Sequence, residues 1–298
     1  VANDKMLQQM ANSQGFIAAL DQSGGSTPGA LRQYGVREDA YSNDEQMFRL
    51  IHEMRVRIIT SPAFTGDRVI GAILFEATMN GEAEGRPVPS YLWENRGVVP
   101  FLKVDKGLED EADGVRLMRP IPKLDELLAR AVSLGVFGTK MRSVINDASE
   151  KGIAAIVEQQ FEVGKQIAAH GLVPIIEPEV SIKSPHKAKA EQILRDQIAK
   201  HLDAWSAQGP VMLKLTIPDE NNLYLPLAEH AKVLSVVALS GGYSRKVACE
   251  KLSHNRKMIA SFSRALIDDL RKDMSDAEFN ASLGEAIEEI YQASTQKS

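Results

Sequence analysis

An alternation of short apolar runs with helix-like segments constrains this chain more than any other feature. The runs fall at about residues 16–20, 69–75, 98–104, 136–141, 172–176, 211–217, 234–239 and 258–262. Runs of this length read as strands buried on both faces. Strands alternating with helices imply a parallel sheet, because parallel neighbours need a crossover between them. Eight such units without a linker imply a (β/α)8 TIM barrel, a single catalytic domain over residues 1–298, near the roughly 250 residues typical of that fold. A doubly wound open sheet is the alternative. Against it, no G-x-G-x-x-G turn opens a helix after the first strand, and Ser23-Gly24-Gly25-Ser26 is not that motif. A barrel also lets all eight strands bear on one site.

Three helices carry explicit signals. Ser42 and Glu45 have capping-box spacing ahead of Met47, Ile51, Met54 and Ile58, which share one helical face. A helix is predicted from near Ser149 to His170, with Gly171 as its stop. Ser275 and Glu278 form another capping box, opening a helix predicted to run through Tyr291.

Composition narrows the function classes. The chain is 44% hydrophobic and 25% charged, ordinary for a soluble globular protein. A net charge of −5 argues against a nucleic-acid partner. No stretch approaches the roughly 20 apolar residues of a membrane helix, and residues 1–15 lack a signal-peptide core. The one cysteine, Cys249, leaves no internal disulfide and fits a reducing compartment. The expectation is a cytoplasmic protein with neither membrane nor nucleic-acid partners.

Charged residues inside the apolar runs are the functional clue. Lys214 sits within Val211-Met212-Leu213-Lys214-Leu215-Thr216-Ile217. Burial disfavours an ammonium, and a neutral amine is a nucleophile toward carbonyls. Lys103 and Lys140 recur in similar settings, and the run Val173-Pro174-Ile175-Ile176-Glu177-Pro178-Glu179 adds carboxylates. Side chains alternate along a strand. Lys103 therefore shares a face with Asp105, Lys140 with Arg142, and Glu177 with Glu179. If those faces point inward, they converge at the C-terminal mouth, where barrel enzymes place their chemistry. Each residue alone has a plainer reading. A lysine in an apolar run is often an edge residue or one that snorkels to water, Glu179 begins a solvated loop, and Lys106 is a surface charge. Their joint occurrence at successive strand ends favours an active site.

Strand seven ends in Ser240-Gly241-Gly242 and strand eight in Ser261-Phe262-Ser263-Arg264. Loops after these two strands are a frequent phosphate site in barrels. Glycines let backbone N–H groups approach an anion, and arginine offers a bidentate fork. Strand one ends in Asp21-Gln22-Ser23-Gly24-Gly25-Ser26, a polar turn on its own, but with Lys103 a second anion site. Two anion sites flanking a nucleophilic lysine suggest a bisphosphate. The six histidines lack the close spacing of a Zn site. His186 and His254 read as surface residues, and Cys249 as a small buried hydrophobe.

These residues resemble a known family, the class I fructose-bisphosphate aldolases in their compact bacterial form. The resemblance rests on A-L-D-Q-S-G-G-S from Ala19, G-A-I-L-F-E from Gly71, K-V-D-K-G from Lys103 and K-M-R from Lys140. It continues through V-P-I-I-E-P-E from Val173, M-L-K-L from Met212, L-S-G-G from Leu239 and S-F-S-R-A-L from Ser261. It implies reversible aldol cleavage of fructose 1,6-bisphosphate to dihydroxyacetone phosphate and glyceraldehyde 3-phosphate, without metal or cofactor, with phosphorylated sugars as the small-molecule partners. Lys214 is then the Schiff-base lysine, Glu177 the general acid and base for the carbinolamine, and Lys140 its neighbour that lowers the lysine's pKa. Asp21 handles the C4 hydroxyl proton. Ser240, Gly241, Ser261 and Arg264 take the C1 phosphate side. Ser23, Ser26 and Lys103 take the C6 phosphate, with Arg142 and Glu179 orienting or neutralising these groups. The chain departs from the animal enzymes at Glu76, in place of histidine, at Phe262, in place of tyrosine, and at Ser263, in place of glycine. It also ends at Ser298 without their tyrosine-terminated tail, so slow proton exchange on the enamine is expected. The alternatives are a Schiff-base aldolase for another phosphorylated ketose, and a barrel that serves only as a binding or scaffold protein. Retention of Lys214, Lys140 and Glu177 argues against the second.

Overall fold

The computed structural model describes residues 4–298. Eight parallel strands follow one another around a barrel. They are β1 (Phe16–Leu20), β2 (Val69–Leu74), β3 (Val99–Lys103), β4 (Gly138–Ile145), β5 (Val173–Val180), β6 (Val211–Thr216), β7 (Val233–Leu239) and β8 (Met258–Ala260). All seven consecutive pairings are parallel. The Ala19 N–H donates to the Phe262 carbonyl at 3.1 Å, bringing the end of the chain's last strand against β1 and nearly closing the barrel. An open sheet would have left these two edges apart.

Each predicted run contains a strand. Strands β4 and β5 continue beyond the apolar runs to Ile145 and Val180. Their last turns of ladder include Arg142 opposite Glu177 and Val144 opposite Glu179, so hydrophobicity ends before the hydrogen bonding does.

The main helices are α1 (Asp4–Asn12), α2 (Thr27–Gln33), α3 (Asp44–Thr60), α4 (Leu124–Ser133), α5 (Glu150–Ala169), α6 (Lys187–Asp203), α7 (Arg245–Ser253) and α8 (Asp276–Thr295). The cap of α3 is one residue later than the spacing suggested. Asn43 Oδ1 accepts from the Gln46 N–H at 2.9 Å, and the Gln46 side chain returns to the Ser42 N–H at 2.8 Å. Ser149 caps α5 through the Gly152 N–H, and Gly171 follows it with a positive φ of 78°. The Ser275–Glu278 capping box is present, but α8 runs one turn past Tyr291, to Thr295.

Two apolar layers result. Ala72, Leu102, Ile176 and Leu213 point outward and pack with Met54, Ile58, Ile156 and Leu194 of the helices. Ile73, Phe101, Ile175, Met212 and Val237 point inward and fill the barrel. Phe101 fits because its β4 neighbour is Gly138. A Cβ there would lie 2.9 Å from the ring and 2.3 Å from the Val173 carbonyl.

Helix α1 plugs the bottom of this inner core with Met6 and Met10, four residues apart on one face. Gln9 ties it down, donating from Nε2 to the carbonyls of Ile70 at 2.9 Å and Gly97 at 2.7 Å. In sequence this segment reads only as polar. Residues 1–3 of that reading lie outside the described residues.

Candidate active site

At the opposite end, the strand ends open into a cavity of about 980 Å³. Its floor is built from side chains two positions further along the inward faces that carry Phe101, Gly138, Ile175 and Met212. These are Lys103, Lys140, Glu177 and Lys214, and all four line the cavity. Period-two alternation therefore places a charged layer directly above an apolar one.

The charged groups touch. Lys214 Nζ lies 3.4 Å from Glu177 Oε1. Lys140 Nζ donates to Asp21 Oδ2 at 2.8 Å and also lies 2.8 Å from Glu177 Oε2, the latter an ion-pair contact without hydrogen-bond alignment. Lys140, Glu177 and Lys214 are 3%, 3% and 4% exposed, so these charges interact with little water between them. Burial opposes ionisation of Asp21. Lys140, then Lys214 and Lys103, overcome it and hold its carboxyl well below the usual carboxylate range. Burial likewise opposes the Lys140 ammonium, yet Asp21, Glu177 and Asp105 hold its pKa above the ordinary lysine value. Lys140 is thus a fixed cation bridging two carboxylates, and Lys214 shares one of them.

The predicted binding residues surround this core. Lys103 pairs with Asp105 at 2.8 Å, and Arg142 Nε donates to Glu179 Oε2 at 2.5 Å. Ser23 and Ser26 line the cavity, with Ser26 Oγ accepting from the Ser23 N–H at 3.1 Å and donating to the Ser23 carbonyl at 2.9 Å. Ser240, Gly241, Ser261 and Arg264 line it beside β7 and β8. Gly241 and Gly242 have φ of 63° and 115°, which favours glycine. A Cβ on Gly242 would be 3.7 Å from Arg264 Nη2, so that loop and the arginine border one space. Ser261 Oγ is buried without a protein partner.

All thirteen residues singled out from sequence therefore line one cavity. The plainer readings hold elsewhere. Lys106 pairs with Glu76 at 2.6 Å, and Arg130 also bonds Glu76, so this glutamate serves a rim network. His186 is exposed beside Asp147, and His254 Nδ1 meets Ser298 Oγ at 2.7 Å. Cys249 is buried in α7, and burial pushes its thiol up to about 12. Tyr291 lies at the bottom, under the Arg68 guanidinium and 3.5 Å from Gln14 Oε1.

Supporting residues escape the sequence reading. Gln160 of α5 is fully buried. Its Oε1 accepts from the Glu177 N–H at 2.8 Å, and its Nε2 donates to Ser143 Oγ at 2.8 Å. Arg55 of α3 is fully buried too. It donates to Thr78 Oγ1 at 2.9 Å and to the Gln22 carbonyl. Both are polar residues four positions after an isoleucine of the buried stripe, Ile156 and Ile51, and that placement was the available signal. Arg116 and Arg119 also line the cavity, from a hairpin-like excursion after β3.

A barrel whose mouth joins a buried lysine pair to a shared carboxylate, within a cationic cavity, has the groups that carbonyl chemistry on an anionic substrate needs. Residues 4–221 match the family model described as fructose-bisphosphate aldolase class-I. The chain is 59% identical over 292 residues to a protein of Porphyromonas gingivalis named fructose-bisphosphate aldolase class 1, covering 98% of this chain and 99% of that one. It is also 59% identical over 292 residues to a Synechocystis protein of the same name, covering 98% and 97%. Among solved structures, the fructose-bisphosphate aldolase of Plasmodium falciparum, in complex with TRAP and a small-molecule inhibitor, superposes with a TM-score of 0.76. At 20% identity, over 99% of this chain and 94% of that one, it shows the shared fold. The chain belongs to the class-I fructose-bisphosphate aldolase family. Among the described residues, no helix is long and apolar enough to cross a membrane.

Proposed function

We propose that this lyase splits fructose 1,6-bisphosphate through a Schiff base on Lys214. The observation that carries the reading is Lys214 Nζ at 3.4 Å from Glu177 Oε1, on the buried floor of the cationic cavity. The amine attacks the C2 carbonyl and forms the N–C bond. Glu177 takes a proton from the nitrogen that has added and delivers it to the carbinolamine oxygen, water leaves, and the iminium remains. The C3–C4 bond then breaks, and its electron pair moves into the iminium to give the enamine. The C4 hydroxyl loses its proton toward Asp21, whose ionised state Lys140 maintains, and the C4–C6 fragment departs as the aldehyde glyceraldehyde 3-phosphate. Protonation of the enamine carbon and hydrolysis release dihydroxyacetone phosphate. The Ser240–Gly241 loop with Arg264 holds the C1 phosphate, and the Ser23–Ser26 turn with Lys103 faces the C6 phosphate. The chain acts as one catalytic domain in the cytoplasm, a compartment its lone, buried cysteine suits.

Borohydride in the presence of dihydroxyacetone phosphate tests the mechanism. One irreversible substrate-derived adduct per chain is expected on Lys214, with loss of activity. An adduct on Lys103 or Lys140 would displace Lys214 from its role. Full cleavage with no adduct would defeat the mechanism.

A further inference from the structure

Charge in the cavity is unevenly satisfied. Seven cationic side chains and four carboxylates line it. Lys140 takes Asp21 and shares Glu177 with Lys214. Lys103 takes Asp105, and Arg142 takes Glu179. Every carboxylate is thereby committed to a cation. Arg116, Arg119 and Arg264 remain, and none of the three has a carboxylate partner among the described residues.

These three lie at two different places on the rim. Arg264 follows β8 and borders the Gly242 loop. Arg116 and Arg119 sit on the excursion after β3. Val115–Arg116 pairs antiparallel with Val144–Ile145, Leu108 bridges Met118, and the Arg119 N–H donates to the Gly107 carbonyl at 3.0 Å. This folds the excursion back beside Lys103 and Asp105. Arg116 Nε donates to the Glu109 carbonyl at 2.9 Å, which orients its guanidinium without neutralising it. Arg119 is exposed.

A sugar phosphate ester carries about two negative charges near neutral pH. Arg264 supplies free positive charge at one end of the substrate. At the other end Lys103 and Arg142 are already balanced by Asp105 and Glu179. We infer that Arg116 and Arg119 supply the free charge that binds the distal phosphate, making them specificity residues for bisphosphorylated over monophosphorylated ketoses. The inference rests on the aldolase reading above, with Lys214 reacting at the other end of the chain of carbons.

The test compares fructose 1,6-bisphosphate with fructose 1-phosphate, which lacks the distal phosphate, on the parent, Arg119→Met, Arg119→Lys and the double variant Arg116→Met/Arg119→Met. The double variant is expected to lose about tenfold or more in kcat/KM for the bisphosphate, the range of lost charge-assisted contacts. The loss should appear in KM more than in kcat. Fructose 1-phosphate should change less than about twofold. Arg119→Lys should restore part of the preference, since a lysine retains the charge without the fork. Equal losses on both substrates, or no loss on either, would overturn the inference. If the double variant does not fold, the exposed Arg119→Met and Arg119→Lys pair decides the same question. A parent enzyme that cleaves neither ketose would instead refute the aldolase reading itself.

Discussion

The two ends of the barrel are made from the same strands and obey opposite rules. At the bottom, Met6 and Met10 of α1 close a wholly apolar layer with Ile73, Phe101, Ile175 and Met212. At the top, the next inward positions are Lys103, Glu177 and Lys214, with Lys140 above Gly138. One step of two residues separates packing from chemistry. Burial of apolar area at the bottom is favourable wherever it is filled. Burial of charge at the top is costly, and its ion pairs offset that cost only in part. The contrast suggests that the lower layer stabilises the fold and the upper layer draws on that stability to hold reactive groups close together.

The largest expected effect separates the two ends cleanly. Lys214→Met should lower cleavage by about four decades or more. Its melting temperature should stay level or rise, because an apolar side chain replaces a buried amine and Glu177 keeps Lys140 as its partner. Thermal melts beside turnover assays check this, and a large loss of stability would contradict the division of labour. Met10→Ala is the converse. It should cost about 2–5 kcal/mol of stability, read by denaturant titration, while borohydride labelling of Lys214 proceeds as in the parent. A comparable fall in labelling would mean that the plug governs the mouth.

Arg264→Ala should weaken use of phosphorylated ketoses without touching the lower layer. A charge-assisted contact of about 1.5–3 kcal/mol corresponds to about one to two decades in kcat/KM. Parent-like kinetics in a folded variant would remove Arg264 from the site. The smallest effect is a slope. Asp21 has a carboxyl pKa held below 3.8 in the folded protein, with burial opposed by Lys140, Lys214 and Lys103. Its contribution is complete above 3.8 and declines as the pH falls below it, because the unfolded chain then binds the extra proton. The stability difference between the parent and Asp21→Asn should therefore shrink on acidification from pH 5 to pH 3. A difference that stays constant would sink the proposed coupling.

The barrel and the charged floor of the cavity were legible in sequence for one reason. Strand interiors repeat every two residues, so a lysine in an apolar run stands out against its neighbours, as Lys103, Lys140 and Lys214 do. Polar residues on helices have no such contrast. Gln160 looks like one more solvated side chain of α5, yet it holds the Glu177 N–H. Arg55 looks equally ordinary in α3 until its burial beneath Gln22 is seen. Arg116 and Arg119 fall in an irregular segment, where no periodicity tells which way a side chain faces. Helix α1 leaves no comparable mark on the sequence, because its two buried methionines present too narrow an apolar stripe. Capping chemistry placed α5 well and α3 one residue early, since Asn43 and Gln46 compete with Ser42 and Glu45 for the same hydrogen bonds.

Residues near both ends of the sequence lie under the barrel. Helix α1 fills the inner floor. Lys297 Nζ donates to the carbonyls of Leu252, Met258 and Ala293, and Met258 opens β8 at its lower end. Ser298 continues to the Ser253 carbonyl and His254. A solid support, an affinity handle or a fused partner joined at residue 298 would thus sit beneath the molecule, and the catalytic face would be left turned toward the bulk solution. Immobilised this way, the enzyme should exchange sugar phosphates as freely as it does in solution.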